Sequence, residues 1–285
     1  MSRAGLTLRS LKNKRYLIKM KNYLLIIAIL TILSSCEWGG APKTRKAGIS
    51  KDTLSYQEQR YKKYADDCGS KPDSNCSEIN ITYPVFKGQP KLNDTVVQKL
   101  ASIMAIDNKH ENTFDALSKD FFQQEKQVKS AGRAHIKLTI TGSATVARQD
   151  SGLVAIQLDG YSFTGGAHGI SPTYFINWDI KAGKNLLLAD VLTTGYEQPL
   201  NAVAEKIFRK EENLSDTASL SRDYFFKGGK FSLNNNFMIT PLGLRFLYNQ
   251  TEIKPYAAGK TEIVVPYNQI KTLLKPNTIV SQYVK

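Results

Sequence analysis

Between Tyr23 and Leu33 the sequence is apolar at every position but Thr31, and the run then stops. A helix needs about 20 such residues to cross a bilayer, so this stretch is too short to span one. Seven basic residues precede it (Arg3, Arg9, Lys12, Lys14, Arg15, Lys19 and Lys21) with no acidic one, and Ser34, Ser35 and Cys36 follow. A basic leader, a short apolar stretch and small residues before a cut make an export signal. Leu33-Ser34-Ser35-Cys36 reads as a lipobox, in which the Cys36 thiol takes a diacylglycerol and becomes the new N-terminus. Residues 1–35 are therefore expected to be a lipoprotein signal peptide. Residues 36–53, rich in turn and polar residues around Gly39-Gly40-Ala41-Pro42, are expected to be a flexible tether. The expected location is the cell envelope, on a membrane through the lipid, with the outer membrane facing periplasm or surface as the expected site.

The net charge of +14 shrinks once the leader is set aside. Without its seven cations the balance is 32 basic against 25 acidic residues, or +7. These charges are spread along the chain, without the dense basic stripe of a nucleic-acid binder. Cys68 and Cys76 remain after Cys36 is assigned to lipid. They enclose a Gly-, Pro- and Ser-containing loop, and an exported chain meets an oxidising compartment, so a disulfide is expected. No His or second CxxC accompanies them, which disfavours a metal site.

Beyond Leu54 the pattern mixes strands and helices. Ile79 to Tyr83 alternates apolar and polar, and Pro84 predicts that this strand closes at a sheet edge. Asn93 is placed as an N-cap before Val96, Val97, Leu100, Ile103 and Met104 at helical spacing. A second helix is predicted over about 112–129. Ile136 to Thr141 alternates again, and Gln149-Asp150-Ser151-Gly152 predicts a hairpin into a strand over 153–163. A strand over 173–180, a helix over 197–212, strands over 237–240, 244–248 and 262–265, and a final helical turn complete the chain. The expected class is α+β, an antiparallel sheet with helices packed on one face. The expected segments are 54–170 and 171–285.

Catalytic motifs are scarce. Three histidines, His110, His135 and His168, lack helical metal-pair spacing, and there is no HExxH, GxSxG or P-loop. No cofactor or metal is expected. Phe163-Thr164-Gly165-Gly166-Ala167-His168-Gly169 is the one local anomaly, since three glycines in five residues imply unusual backbone angles or close packing. His168 is read as fixing this turn by hydrogen bonds to backbone. The rival reading makes it a catalytic base or metal ligand beside Asp159, Asp179 or Asp190. Tyr248, Tyr256 and Tyr267 are candidates for a binding face, with core packing as the default reading.

The C-terminal half resembles a known family. The glycine-rich turn, Asn177-Trp178-Asp179-Ile180-Lys181-Ala182-Gly183-Lys184, Leu186 to Leu192 and Ile239 to Asn249 through Val265-Pro266-Tyr267 follow its ordered motifs. The resemblance is to the extracytoplasmic domain DUF3298, with a DUF4163-like companion over roughly 79–170. It implies an envelope-facing module, similar to the outer part of lysozyme-binding anti-sigma factors and to accessory domains of peptidoglycan deacetylases. The sigma-binding segment and the deacetylase catalytic domain are not found in this sequence, so those activities are not carried over. The expected function is a non-catalytic, lipid-anchored binding module for a protein, lysozyme-like among others, or for a peptidoglycan ligand. The alternative is an envelope hydrolase centred on His168.

Overall fold

The computed structural model describes residues 53–70, 76–106, 111–133 and 135–284. Cys36, the tether up to residue 52 and His110 lie outside them. The first element, β1 (Tyr56–Tyr64), pairs antiparallel with β2 (Glu78–Phe86). Two helices follow, α1 (Pro90–Ile103) and α2 (Phe114–Ser130), before the long hairpin of β3 (Thr139–Asp150) and β4 (Leu153–Phe163). Then come β5 (Thr173–Asp179), the short β6 (Lys184–Asn185), α3 (Leu188–Val191) and α4 (Glu197–Glu211). A second sheet of β7 (Phe237–Thr240), β8 (Gly243–Tyr248) and β9 (Thr261–Pro266) ends the regular structure.

The large sheet runs in order β1-β2-β3-β4-β5-β6, and every pairing is antiparallel except β2 with β3. A parallel pair needs a long crossover, and α1 with α2 supplies it. Both helices bury one stripe against the sheet: Leu92, Val96 and Leu100 from α1, and Phe114, Leu117 and Phe121 from α2, meet Ile79, Ile81, Ile140 and Ile156. The small sheet packs with α4 around Phe208, Phe246 and Ile263. Ala155 and Phe175 of the large sheet join Met238 and Leu247 of the small one in a third cluster. This is the α+β class, mostly antiparallel. The junction at 170/171 lies between β4 and β5, which are neighbours in one sheet. Among the described residues no helix is long and apolar enough to cross a membrane.

Three local expectations are corrected. The β2 strand is interior, not an edge, and it runs past Pro84, which faces Glu58 of β1 in register. The edge belongs to β1, whose side chains are mostly exposed and so carry no apolar alternation. Asn93 lies inside α1, which starts at Pro90. Its side chain reaches back to the Phe86 backbone, accepting from N–H at 2.8 Å and donating to the carbonyl at 3.0 Å. A proline at the first helical position costs no hydrogen bond, which explains the earlier start.

One packing detail fixes the end of α1. Gly142 and Gly160 face each other across β3 and β4, and Met104 lies over both. A Cβ on Gly142 would come within 2.7 Å of the Met104 sulfur, and one on Gly160 within 2.9 Å of Met104 Cγ. The bare glycines let this helix end sit down on the sheet.

Candidate functional site

The glycine-rich turn leaves β4 and returns to it. Ser162 and Ile170 exchange two backbone hydrogen bonds of 2.9 Å, closing the loop at its base. Gly165 adopts φ +90°, over Leu138 and Val128, while its carbonyl accepts from Arg133 Nη1 at 3.3 Å. Gly166 is not among the positive-φ glycines, and a Cβ there would meet only the His168 carbonyl at 4.0 Å. Gly169 is buried beneath Tyr161, whose ring occupies the space a Cβ would take.

His168 is an exposed residue. Its ring stacks on Tyr256 with centroids 4.0 Å apart and 28° between planes. Its Nδ1 is 3.2 Å from the Gly169 carbonyl, which can only accept, so the Nδ1–H tautomer is the one that bonds. The Tyr256 hydroxyl donates to the same carbonyl at 3.2 Å. The three carboxylates considered as partners of His168 are engaged elsewhere. Asp159 accepts from Thr173 Oγ1 at 2.5 Å and from Gln157 at 2.8 Å. Asp179 accepts from the Ala182 N–H, and Asp190 accepts from the Leu187 N–H and pairs with Lys184. Among the described residues no cluster of three metal-ligating side chains exists.

The tyrosines separate. Tyr248 and Tyr267 are core residues, with hydroxyls donating to the Ser232 and Thr240 carbonyls at 2.7 and 2.8 Å. Burial pushes both phenols well above their ordinary range. Tyr256 alone reaches the turn. Cys68 and Cys76 are disulfide-bonded with Cα atoms 5.7 Å apart, inside the usual span.

Beside the turn lies a feature the sequence reading missed, an open groove of ≈ 540 Å³. The end of α1 forms one wall with Lys99, Ser102, Ile103 and Ala105. Ile170, Ser171, Pro172 and Tyr174 form the other, and Asn249 and Gln250 close one side. Asn249 spends its side chain on the Thr173 backbone, accepting from N–H at 2.7 Å and donating to the carbonyl at 3.1 Å. That clamp ties the small sheet to the start of β5. Ile170 is 62% exposed and Tyr174 41% exposed, so the mouth is apolar and open to solvent. Burial, and then the nearby Glu252 carboxylate, pushes the Tyr174 phenol up. A trace of the groove was present in the sequence: Lys99 interrupts the stripe Leu92, Val96, Ile103 at a spacing that elsewhere carries apolar side chains.

The profile of a protein family of unknown function, DUF3298, matches residues 189–268, and that of the deacetylase PdaC matches 70–171. The groove draws on both stretches. The immunogenic proteins MPB64 of Mycobacterium bovis and MPT64 of Mycobacterium tuberculosis are each 26% identical over 208 residues, 71% of this chain and 89% of theirs. A crystal structure of a DUF3298 family member from Bacteroides fragilis superposes with a TM-score of 0.64 at 21% identity, covering 81% of this chain and 98% of that one. One from Pseudomonas aeruginosa gives 0.63 at 25% identity, covering 79% and 96%. The likeness to DUF3298 proteins read from the motifs is thus supported by sequence and by fold.

Proposed function

We propose that the chain is a lipid-anchored accessory module of the cell envelope that holds a protein or cell-wall ligand in the groove between α1 and β5, without turning it over. The observation that carries this reading is the groove mouth. Ile170 and Tyr174 stand exposed at 62% and 41% beside a cavity of a size common for ligand sites. A folded protein gains nothing by leaving two large apolar side chains together in water, whereas a partner would cover them. The similarity to DUF3298 proteins and to the PdaC profile supports an accessory role, and the lipobox at Cys36 supports envelope attachment. His168 is placed to brace the turn: its ring is stacked and its bonding nitrogen is turned to a backbone carbonyl.

The test is a photoreactive amino acid at position 170 of the full chain, activated in cells. A discrete envelope adduct at 170, absent when the same group stands at exposed Phe225, is expected. Equal labelling at both positions, or none at 170, would refute the groove as the ligand site.

A further inference from the structure

The large sheet ends in β1, of nine residues, on one side and in β6, of two, on the other. Beyond each end of β1 its ladder with β2 continues. The Ser55 carbonyl accepts from the Lys87 N–H, and the Ala65 N–H donates to the Ser77 carbonyl, both at 3.0 Å. Bonded and non-bonded pairs alternate along an antiparallel ladder, so Gln57, Gln59, Tyr61 and Lys63 turn their backbone groups to β2. Pro84, which has no N–H, stands opposite Glu58 in a non-bonded pair and removes no bond from this ladder. Tyr56, Glu58, Arg60, Lys62 and Tyr64 therefore turn N–H and C=O outward, and among the described residues no hydrogen bond reaches those groups. The Leu54 backbone, next in that series, is already held by the Gln149 side chain at 2.8 and 3.1 Å.

An open edge of this kind is a template for another strand, and folded proteins usually guard it with charge. Here the charges have both signs. Glu58 and Arg60 are exposed on the same face of β1, and neither makes an ion pair with another described residue. We infer that β1 pairs antiparallel with β1 of a second copy about a two-fold axis at Gln59, joining two large sheets into one. This goes beyond the groove reading and does not depend on it, since three strands separate β1 from β5. In this register Glu58 faces Arg60 of the second copy, Tyr56 faces Lys62, Gln57 faces Tyr61 and Gln59 meets its own counterpart. Symmetry makes each of the first three contacts twice. The first is an opposite-charge cross-strand pair and the second sets a cation beside an aromatic ring. Residues 56, 58, 60 and 62 supply the bonded pairs, and the ladder stops where Gln149 holds Leu54. Other registers fail. An axis at Arg60 would oppose Arg60 to itself, and one at Glu58 would oppose Glu58 to itself. An axis between two residues would set an outward-turned backbone against an inward-turned one.

The test is Gln59→Cys in the full chain, expressed in cells and treated there with a mild oxidant. Opposite residues of a non-bonded pair have Cα atoms about 4.5 Å apart, within the span of a disulfide. The substitution gives up a 3.3 Å hydrogen bond from the Tyr83 hydroxyl at an exposed position, so melting should stay near native. A gel run without reductant should show a band at twice the mass of the chain. Gln57→Cys is the control: its counterpart stands four residues along the ladder, roughly 13 Å away, and should not link. Arg60→Glu in the Gln59→Cys chain should cut linking about tenfold, because like charges then face each other. Adding Glu58→Arg should restore it, because the exchanged charges are again opposite. No link at 59, equal links at 57 and 59, or no recovery on exchanging the charges would overturn the pairing. A link from 59 to a protein of another mass would overturn it too, and would assign the edge to a foreign strand.

Discussion

The His168 imidazole lies on the Tyr256 ring at a centroid distance of 4.0 Å, and both side chains direct a donor to the Gly169 carbonyl. This pair joins the glycine-rich turn to the segment between β8 and β9, on the side where Asn249 clamps Thr173. The turn and the groove wall are therefore held by the small sheet.

His168→Ala should lower stability by about 0.5–1.5 kcal/mol, the usual worth of a stacked aromatic pair. The loss stays modest because His168 is exposed and Tyr256 still bonds to the carbonyl. Thermal melts of His168→Ala and Tyr256→Leu, singly and together, should show less than additive loss. An unchanged melting temperature in both single variants would contradict a bracing role.

Gly165→Ala should destabilise by about 1–3 kcal/mol, because φ +90° strains any side chain. Gly166→Ala should be nearly neutral, since its backbone angle and the open space around it accept a Cβ. The sequence alone points to Gly166 as strongly as to Gly165; only the backbone angles separate them. The reverse order in a chemical denaturation series would refute this assignment.

Much of the architecture was legible in residue patterns. Alternation marked β2 and the start of β3, the Ser151-Gly152 turn marked the β3–β4 hairpin with β4 as its returning strand, and helical spacing marked α1, α2 and α4. The β1 strand was not legible, because Tyr56–Tyr64 lies at an edge with mostly exposed side chains and so shows no apolar period. Pro84, a residue that sheets usually confine to their edges, made β2 look like the edge. The groove was hidden for a different reason. Its walls come from residues 99–105, 170–174 and 249–250, distant in sequence and joined only by the fold. Lys99 carried the one local sign, as a cation on an apolar stripe. Tyr248 and Tyr267 could not be told from Tyr256 by sequence, since all three lie in strand-rich context and only burial distinguishes them.

Reduction of the Cys68–Cys76 bond should cost about 2 kcal/mol, the low end for a disulfide, because the loop it closes is short. A melt with and without reductant measures this, and a non-reduced digest should show the two cysteines linked. Free thiols in protein taken from the envelope would contradict the pairing.

Alkaline pH should unfold the protein through its buried phenols. Burial first, and then the hydrogen bond to Glu212, pushes Tyr224 from its ordinary 10.0 up to about 12. A folded-state pKa above the unfolded one means the folded state holds the proton more tightly. The stability this gives is complete below about pH 10 and is lost as pH rises from about 10 to 12. Buried Tyr248 and Tyr267 shift in the same direction. Denaturant midpoints across that window should fall steadily, and Tyr224→Phe should fall less. A flat profile would refute the linkage.

Cys36→Ser should release the chain from membranes, since a lipid modification of more than one chain is what makes such anchoring stable. Membrane fractionation after a salt wash measures this. A Cys36→Ser protein that stays membrane-bound would contradict the lipobox reading.

The central claim is that the groove holds the ligand. The most direct measurement compares Ile170→Asp with Leu242→Asp, a control at a residue 79% exposed on the β7–β8 turn, in full-length protein. Both are assayed for retention by purified cell-wall sacculi and by envelope protein extract. Ile170→Asp should lose the retention that wild type shows while melting normally, and Leu242→Asp should keep it. Retention unchanged by Ile170→Asp, or lost equally in both variants, would contradict the assignment.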